Sequence, residues 1–226
     1  MCRRNGLGCE RDTELFRVFD MEYEYDVREA FDGWLRGRAP LSQWIDELNF
    51  QEAAYPRNYN KLRFLENHDQ PRIASLVRRE SDLVNYTAML YFLKGTTLLY
   101  AGQEYANERQ PSLFEREPID RDTGRDLSGL MQRLGELKKT VLGEDDDFIA
   151  RAEDGSAVVV MERQNAKGAK LGVFSLRSEA ADVAVRLLDG DYVNHVDGGT
   201  VRVSGGKLRT EGRPVILTAD RFLYEL

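Results

Sequence analysis

Up to Gly143 the apolar positions follow two alternating patterns, and their spacing predicts three strand–helix pairs. Phe19-Asp20-Met21-Glu22-Tyr23 alternates like a short strand. Asp26 then stands at a helix N-cap position with Glu29 in capping-box spacing behind it. Val27, Ala30, Phe31, Trp34 and Leu35 follow at i, i+3, i+4, i+7 and i+8, the apolar stripe of a helix that stops at Gly37. Leu41, Trp44, Ile45 and Leu48 repeat the stripe. Leu62-Arg63-Phe64-Leu65 reads as a strand running into Glu66-Asn67-His68-Asp69. Ser81-Asp82 opens a helix that is apolar almost all round from Leu83 to Leu93, so it is expected to be buried on most sides. It ends at Lys94-Gly95, a cation and a glycine suited to a helix C-terminus. Thr96 to Ala101 is a third strand closed by Gly102, and Leu127, Leu130, Met131, Leu134, Leu137 and Val141 mark a last amphipathic helix.

Strands that alternate with helices imply parallel βαβ units with right-handed crossovers. Near Glu144-Asp145-Asp146-Asp147 the pattern changes. Short apolar runs such as Ala157 to Met161 and Val215-Ile216-Leu217 now sit between turn signals: Asp154-Gly155, Asp189-Gly190, Asp197-Gly198-Gly199, Ser204-Gly205-Gly206 and Glu211-Gly212. That is the signature of an antiparallel β-sandwich. The expected organisation is therefore an α/β part over residues 1–144 and an all-β part over 145–226. Three parallel strands alone leave two bare edges on a sheet of a kind normally closed or covered. A complete (β/α)8 TIM barrel takes roughly 200 residues or more. The α/β part is thus expected to be the partial barrel of a longer chain, with its missing strands upstream.

Composition narrows the partners. The 226 residues suffice for one large domain or two ordinary ones, and 42% hydrophobic with 31% charged residues supports a packed core rather than disorder. The net charge of −7 offers no basic stripe for counterion release, so no nucleic-acid partner is expected and a neutral substrate suits better. Two thiols, Cys2 and Cys9, cannot make a tetrahedral zinc site, and a reducing compartment such as the cytoplasm is their simplest context. No apolar run approaches ~18 residues, so no membrane span is expected. Met1-Cys2-Arg3-Arg4-Asn5-Gly6 is followed by no hydrophobic core of a signal peptide.

The densest chemistry lies in Phe64-Leu65-Glu66-Asn67-His68-Asp69-Gln70-Pro71-Arg72. It follows a strand of the α/β part, and (β/α)8 enzymes keep their active sites at the C-terminal ends of their strands. There an imidazole can donate to a sugar hydroxyl while a carboxylate accepts. Pro71 would stiffen the turn and Arg72 could orient the carboxylate. A polar loop whose His68 and Asp69 merely bond the turn fits the same residues.

The segment resembles the α-amylase family (glycoside hydrolase family 13), whose seventh-strand motif reads Phe-x-x-Asn-His-Asp, matched by Phe64, Asn67, His68 and Asp69. Gly95-Thr96-Thr97-Leu98-Leu99-Tyr100-Ala101-Gly102-Gln103-Glu104 resembles that family's eighth strand, and Phe19 to Asp26 its sixth. The family's barrel is also followed by an antiparallel β domain. The resemblance implies the last three barrel strands plus that domain, and an α-linked glucan or oligosaccharide as substrate, cleaved or transferred with retention. It implies that Asp69 is the third active-site carboxylate, which grips and distorts the sugar, that His68 contacts the same sugar, and that Arg72 belongs to the substrate-binding network. Glu104 is expected in packing rather than chemistry.

Retaining hydrolysis needs a nucleophile and an acid/base about 5–5.5 Å apart. The family carries them on earlier strands, and neither Gly-x-Arg-x-Asp nor Asp-x-x-x-Asn-His occurs in this sequence. Glu10 reads as a surface-loop residue, not the acid. Asp20, Glu22, Glu24 and Asp26 alternate along one strand, and Glu66 lies near Asp69, but solvated acids are the simpler reading. His195 reads as a surface histidine, Trp34 and Trp44 as core, and Tyr105, Phe114 and Tyr192 as looser candidates for sugar stacking. The family's calcium residues belong to its earlier strands, so neither metal nor cofactor is expected. Alone, the chain is expected to be inactive, with the missing half-barrel as partner. The alternative is a non-catalytic glucan-binding or interaction module.

Overall fold

The helical stripes become helices in the computed structural model of the chain, which describes residues 12–153 and 155–223. Cys2, Cys9, Glu10 and Asp154 lie outside the described residues. The α/β part runs α1 (Asp12–Leu15), β1 (Glu22–Tyr23), α2 (Arg28–Leu35), α3 (Leu41–Ala54), β2 (Lys61–Arg63), α4 (Ile73–Leu76), α5 (Glu80–Phe92), β3 (Thr96–Thr97) and α6 (Ser128–Thr140). A 3-10 turn spans Gln103–Tyr105. The three strands form a parallel sheet in the order β1-β2-β3, with Tyr23 opposite Leu62 and Leu62 opposite Thr96. Each ladder continues by one bond past the strands, Glu24 N–H to the Leu62 carbonyl and Leu98 N–H to that of Arg63. The apolar runs thus extend further than the pairing. Gly95 enters β3 at φ +107°, where a Cβ would collide with the Lys61 carbonyl.

One face of this sheet is a buried charge lattice rather than an aliphatic surface. Lys61 and Arg63 point the same way along β2, and both are buried. Lys61 Nζ reaches Glu22 Oε2 at 2.8 Å and Asp26 Oδ1 at 3.2 Å. Arg63 pairs with Glu24 and donates to Gln51 Oε1 and the Lys94 carbonyl at 2.8 and 2.7 Å. Lys94 Nζ meets Glu52 at 2.9 Å. Two expectations are corrected here. Glu24 and Asp26 are not solvated, because they neutralise buried cations. Nor does Asp26 cap a helix, since α2 has Val27 at its N-cap with no side-chain cap bond. Asp26 Oδ2 accepts instead from Gln51 Nε2 and Tyr55 Oη at 2.6 and 2.8 Å. Burial alone would push the Asp26 carboxyl up, but Lys61, Tyr55 and Gln51 hold it below its ordinary value. Glu24 goes the other way, raised by burial against the opposing pull of Arg63.

Among the described residues from 147 onward the regular elements are all strands: β4 (Asp147–Glu153), β5 (Val158–Asn165), β6 (Gly168–Ser175), β7 (Asp182–Ala184), β8 (Gly190–Val193), β9 (Thr200–Ser204), β10 (Lys207–Arg209) and β11 (Val215–Ala219). They form two antiparallel sheets, β11-β6-β5-β4 and β7-β10-β9-β8. Val158, Val160, Leu171, Val173 and Leu217 pack between the sheets with Val183, Val203 and Leu208. The other face of the first sheet is buried as well. Phe148, Ala150, Val159, Met161, Phe174 and Ile216 share a core with Trp44, Leu83, Met89, Phe92 and Leu134 of the helices. Burial on both faces explains why Ala157 to Met161 is a continuous apolar run rather than an alternating one.

Polar clamps close the junction. The Asn49 side chain donates to the Ala150 carbonyl at 2.8 Å and accepts from its N–H at 2.9 Å, so α3 completes the free edge of β4. Asn85 on α5 accepts from Ser175 N–H and donates to the Gly212 carbonyl, at 2.9 and 3.0 Å. Asp146, fully buried, holds Arg163 and Lys170 at 3.0 and 2.7 Å, and Arg163 donates to the last carbonyl of α5, Phe92.

Candidate functional site

The parallel strands point their C-terminal ends at one set of loops, and the loop after β2 carries the candidate chemistry. Its exit is fixed first by packing. The Phe64 ring packs against both Tyr25 and Tyr23, with centroids at 5.3 and 6.1 Å, and under the Arg28 guanidinium at 5.3 Å. Arg28 also donates to the Leu65 carbonyl at 3.0 Å. Asn67 is buried and closes the turn, its Oδ1 accepting from Asp69 N–H at 2.9 Å while its Nδ2 donates to Tyr25 Oη at 2.9 Å. Beyond that turn the chain rises into solvent, with 51% of the His68 side chain and 54% of the Asp69 side chain exposed. His68 Nε2 lies 3.3 Å from Asp69 Oδ2, and Tyr25 Oη donates toward the same oxygen at 3.4 Å.

Beneath this exposed pair sits a buried one. Glu66 is fully buried, and its two oxygens accept from Arg72 Nη1 at 2.6 Å and from Ile73 N–H at 2.7 Å. Burial raises the Glu66 carboxyl above its ordinary value, against the hydrogen bonds of Arg72 and Ile73 that lower it. Glu66 therefore does not open to solvent beside Asp69, although the two lie three residues apart.

Arg72, which the sequence put among the substrate-binding residues, is 1% exposed. Besides Glu66, its guanidinium donates to the carbonyls of Ala101 and Arg109 at 2.8 and 3.3 Å and lies 4.3 Å over the Tyr100 ring. It ties the loop after β2 to the loop after β3. A second stitch joins them, from Gln110 Nε2 to the His68 carbonyl at 2.8 Å. Gly102, at φ +94°, lets the β3 loop turn where a Cβ would press on Asn107, Ile119 and the Arg72 guanidinium. Glu104 accepts from Gly102 N–H at 2.8 Å, a bond that shapes the turn. Between this loop and the chain that follows lies a cavity of about 580 Å³, lined in part by Arg72, Arg109, Glu117 and Arg125.

The remaining sequence candidates lie apart from this cluster or at its margin. His195 is in the sandwich, its Nε2 3.0 Å from Thr218 Oγ1, and burial lowers its pKa. Trp44 is core against Phe31, while Trp34 is half-buried and donates to Tyr86 Oη at 2.8 Å. Tyr192 is in the sandwich and donates to the Leu188 carbonyl at 2.9 Å. Tyr105 is half-buried in the 3-10 turn, and Phe114 is 92% exposed on the β3 loop. The sequence reading missed Tyr25, Gln110 and the buried partnership of Glu66. The one signal for Tyr25 was its strand spacing from Tyr23, which puts both on the face away from Glu24.

An exposed carboxylate beside an imidazole, anchored on buried polar groups, can accept from and donate to adjacent hydroxyls of a neutral ligand. Comparisons with known proteins match the chain to two families and to solved structures over most of its length. The model for the alpha amylase catalytic domain matches residues 16–148, and that for the bacterial alpha amylase C-terminal domain matches 150–217. A crystal structure of an alpha-amylase from Lactobacillus plantarum superposes with a TM-score of 0.84 at 33% identity, over 93% of this chain and 50% of that one. The maltogenic alpha-amylase AmyB from Thermotoga neapolitana gives 0.82 at 28% identity, over 94% and 53%. Alpha-amylase 2 of Schwanniomyces occidentalis is 22% identical over 89% of this chain and 43% of its own length. The chain thus spans about half the length of these relatives.

Proposed function

Because the chain belongs to the α-amylase family (glycoside hydrolase family 13), with its first part matching the catalytic domain, we propose that it forms one wall of an α-glucan site. The complete site would belong to a retaining hydrolase or glucosyltransferase. In this reading β1, β2 and β3 are the last three strands of a (β/α)8 barrel, residues 1–144 belong to that barrel, and residues 145–226 are the β domain behind it. The observation that carries the reading is the half-exposed His68–Asp69 pair at the C-terminal end of a parallel strand, the end where such barrels bind substrate.

Asp69 would accept hydrogen bonds from hydroxyls of the sugar whose bond breaks, and His68 would contact the same ring. Arg72 takes a different part from the one its motif suggests. With its donors engaged by Glu66, Ala101 and Arg109, it holds the two loops in register rather than touching sugar. Retention needs a nucleophile and an acid/base about 5–5.5 Å apart, and a third carboxylate substitutes for neither. The sequence carries no Gly-x-Arg-x-Asp pattern. We therefore propose that the chain by itself turns over no glucan, and that a half-barrel supplying those two groups is its partner.

Calorimetric titration with maltotriose, run beside a reducing-sugar assay, tests this. The intact chain is expected to bind the trisaccharide weakly and release no sugar. Asp69→Ala is expected to weaken binding at least about tenfold, the equivalent of one charge-assisted hydrogen bond. Binding that survives Asp69→Ala would move the site off the strand ends and favour a glucan-binding module. Sugar release by the chain alone would overturn the proposed dependence on a partner.

A further inference from the structure

Tyr25 is the second residue beyond β1, and its phenol reaches across from that neighbouring strand's exit to Asp69. Its ring needs no hydroxyl for packing, since it lies against Phe64 and Tyr23 with centroids at 5.3 and 5.8 Å. The hydroxyl is nonetheless used twice, accepting from Asn67 Nδ2 at 2.9 Å and donating toward Asp69 Oδ2 at 3.4 Å. Asn67 is buried, and its Oδ1 holds the Asp69 N–H at 2.9 Å. One amide therefore fixes the backbone of Asp69 while orienting the phenol that faces its carboxylate. His68 Nε2 also lies 3.3 Å from the same Oδ2.

We propose that Tyr25 is the positioning residue of this site. It occupies Asp69 Oδ2 from the neighbouring strand, so that the carboxylate is held in one rotamer with Oδ1 turned to a polyhydroxyl ligand. A half-exposed aspartate on a loop would otherwise be frozen only on binding, at the expense of affinity. The donation is long at 3.4 Å, and hydrogen bonds in such sites tighten in the complex with substrate. The inference rests on the glucan reading for the identity of the ligand, but the link between Tyr25 and Asp69 does not.

Two measurements test it, on the intact chain. In the first, tyrosine labelled with ¹³C at Cζ is introduced, and the Tyr25 resonance is assigned by its disappearance in Tyr25→Phe. Asp69→Ala is expected to move that resonance; a resonance that stays put overturns the proposal whatever the ligand. In the second, Tyr25→Phe is titrated with maltotriose. Affinity is expected to fall about three- to tenfold, with an unchanged melting temperature, as for an unfrozen side chain. Unchanged affinity, or a loss matched by a lower melting temperature, would assign Tyr25 to packing and overturn the proposal. If the unsubstituted chain binds no maltotriose, the glucan reading fails and the first measurement alone decides the role of Tyr25.

Discussion

Arg72 and Glu66 show what a motif conceals about its own side chains. The run from Phe64 to Arg72 identified the chemical loop, but which residues rise from it and which sink depends on partners far away in sequence. Glu66 is pulled under by Arg72 and by the N–H of Ile73, and Arg72 by carbonyls of the β3 loop. Tyr25 escaped notice for the same reason, since Asn67 and Asp69 are 42 and 44 residues away. A buried ion pair tolerates loss of one member badly, because the other charge stays behind in a dry site. Arg72→Met is therefore expected to cost about 3–5 kcal/mol of stability near neutral pH. The deficit should depend on pH, and its sign follows from Glu66. Its carboxyl is already raised above its ordinary value by burial, and removing the guanidinium raises it further. A carboxyl whose folded pKa exceeds its unfolded one, about 4.3, loses stability as pH rises between the two. Urea denaturation of both proteins at two pH values checks this. The Arg72→Met deficit should be larger at pH 7.5 than at pH 5, and equal deficits would show that Glu66 does not carry the charge left behind.

The helices were legible because a stripe of apolar residues needs only one buried face. Leu41, Trp44, Ile45 and Leu48 on α3 and Leu130, Met131, Leu134 and Leu137 on α6 are all buried as their spacing requires. The strands were less legible. Thr96 to Ala101 reads as one strand, yet its ladder bonds end at Leu98, because β2 leaves the sheet at Arg63. Asp26 had the spacing of a cap, but Lys61, Gln51 and Tyr55 compete for it with more bonds than one helix N–H could offer. Asn49 could not have been read at all, since nothing local marks a helix amide as the pairing partner of a strand edge. Ala150 is 5% exposed, so both its backbone groups depend on that amide. Asn49→Ala should leave a donor and an acceptor unmet, on the order of 2–4 kcal/mol, and speed exchange of the Ala150 amide hydrogen. A loss below about 0.5 kcal/mol would mean that water takes over both bonds.

The change of pattern near residue 144 separates helices from strands, but the core does not divide there. Phe148, Ala150, Val159, Met161, Phe174 and Ile216 of the first sandwich sheet pack in one cluster with side chains of α2, α3, α5 and α6. Asn85, Asn49 and Arg163 carry hydrogen bonds across the same junction. Detaching the sandwich would expose the outer face of β5 and β6, whose apolar side chains are as buried as those between the sheets. Exposed apolar surface costs about 25 cal/mol per Å², so this junction is worth several aliphatic side chains to each half. The two halves are therefore expected to unfold as one cooperative unit, despite matching two different domain models. Both tryptophans, Trp34 and Trp44, lie in the helical half, and their fluorescence reports that half together with its junction, where Trp44 shares the common core and Arg177 lies 5.2 Å over the Trp34 ring. Amide exchange at Val160 and Leu171 reports the sandwich, where both residues are fully buried in paired strands. Under a denaturant series the fluorescence midpoint should coincide with the concentration at which those amides lose protection. A sandwich that keeps its protected amides after the tryptophans are exposed would show that the junction contributes less than either half's own core. The boundary near residue 144 would then be thermodynamic as well as structural. Coincidence would mean that the β domain acts as the back wall of helices α3 and α5, and that substitutions at the junction, such as Asn49→Ala, lower the stability of the helical half that carries His68 and Asp69.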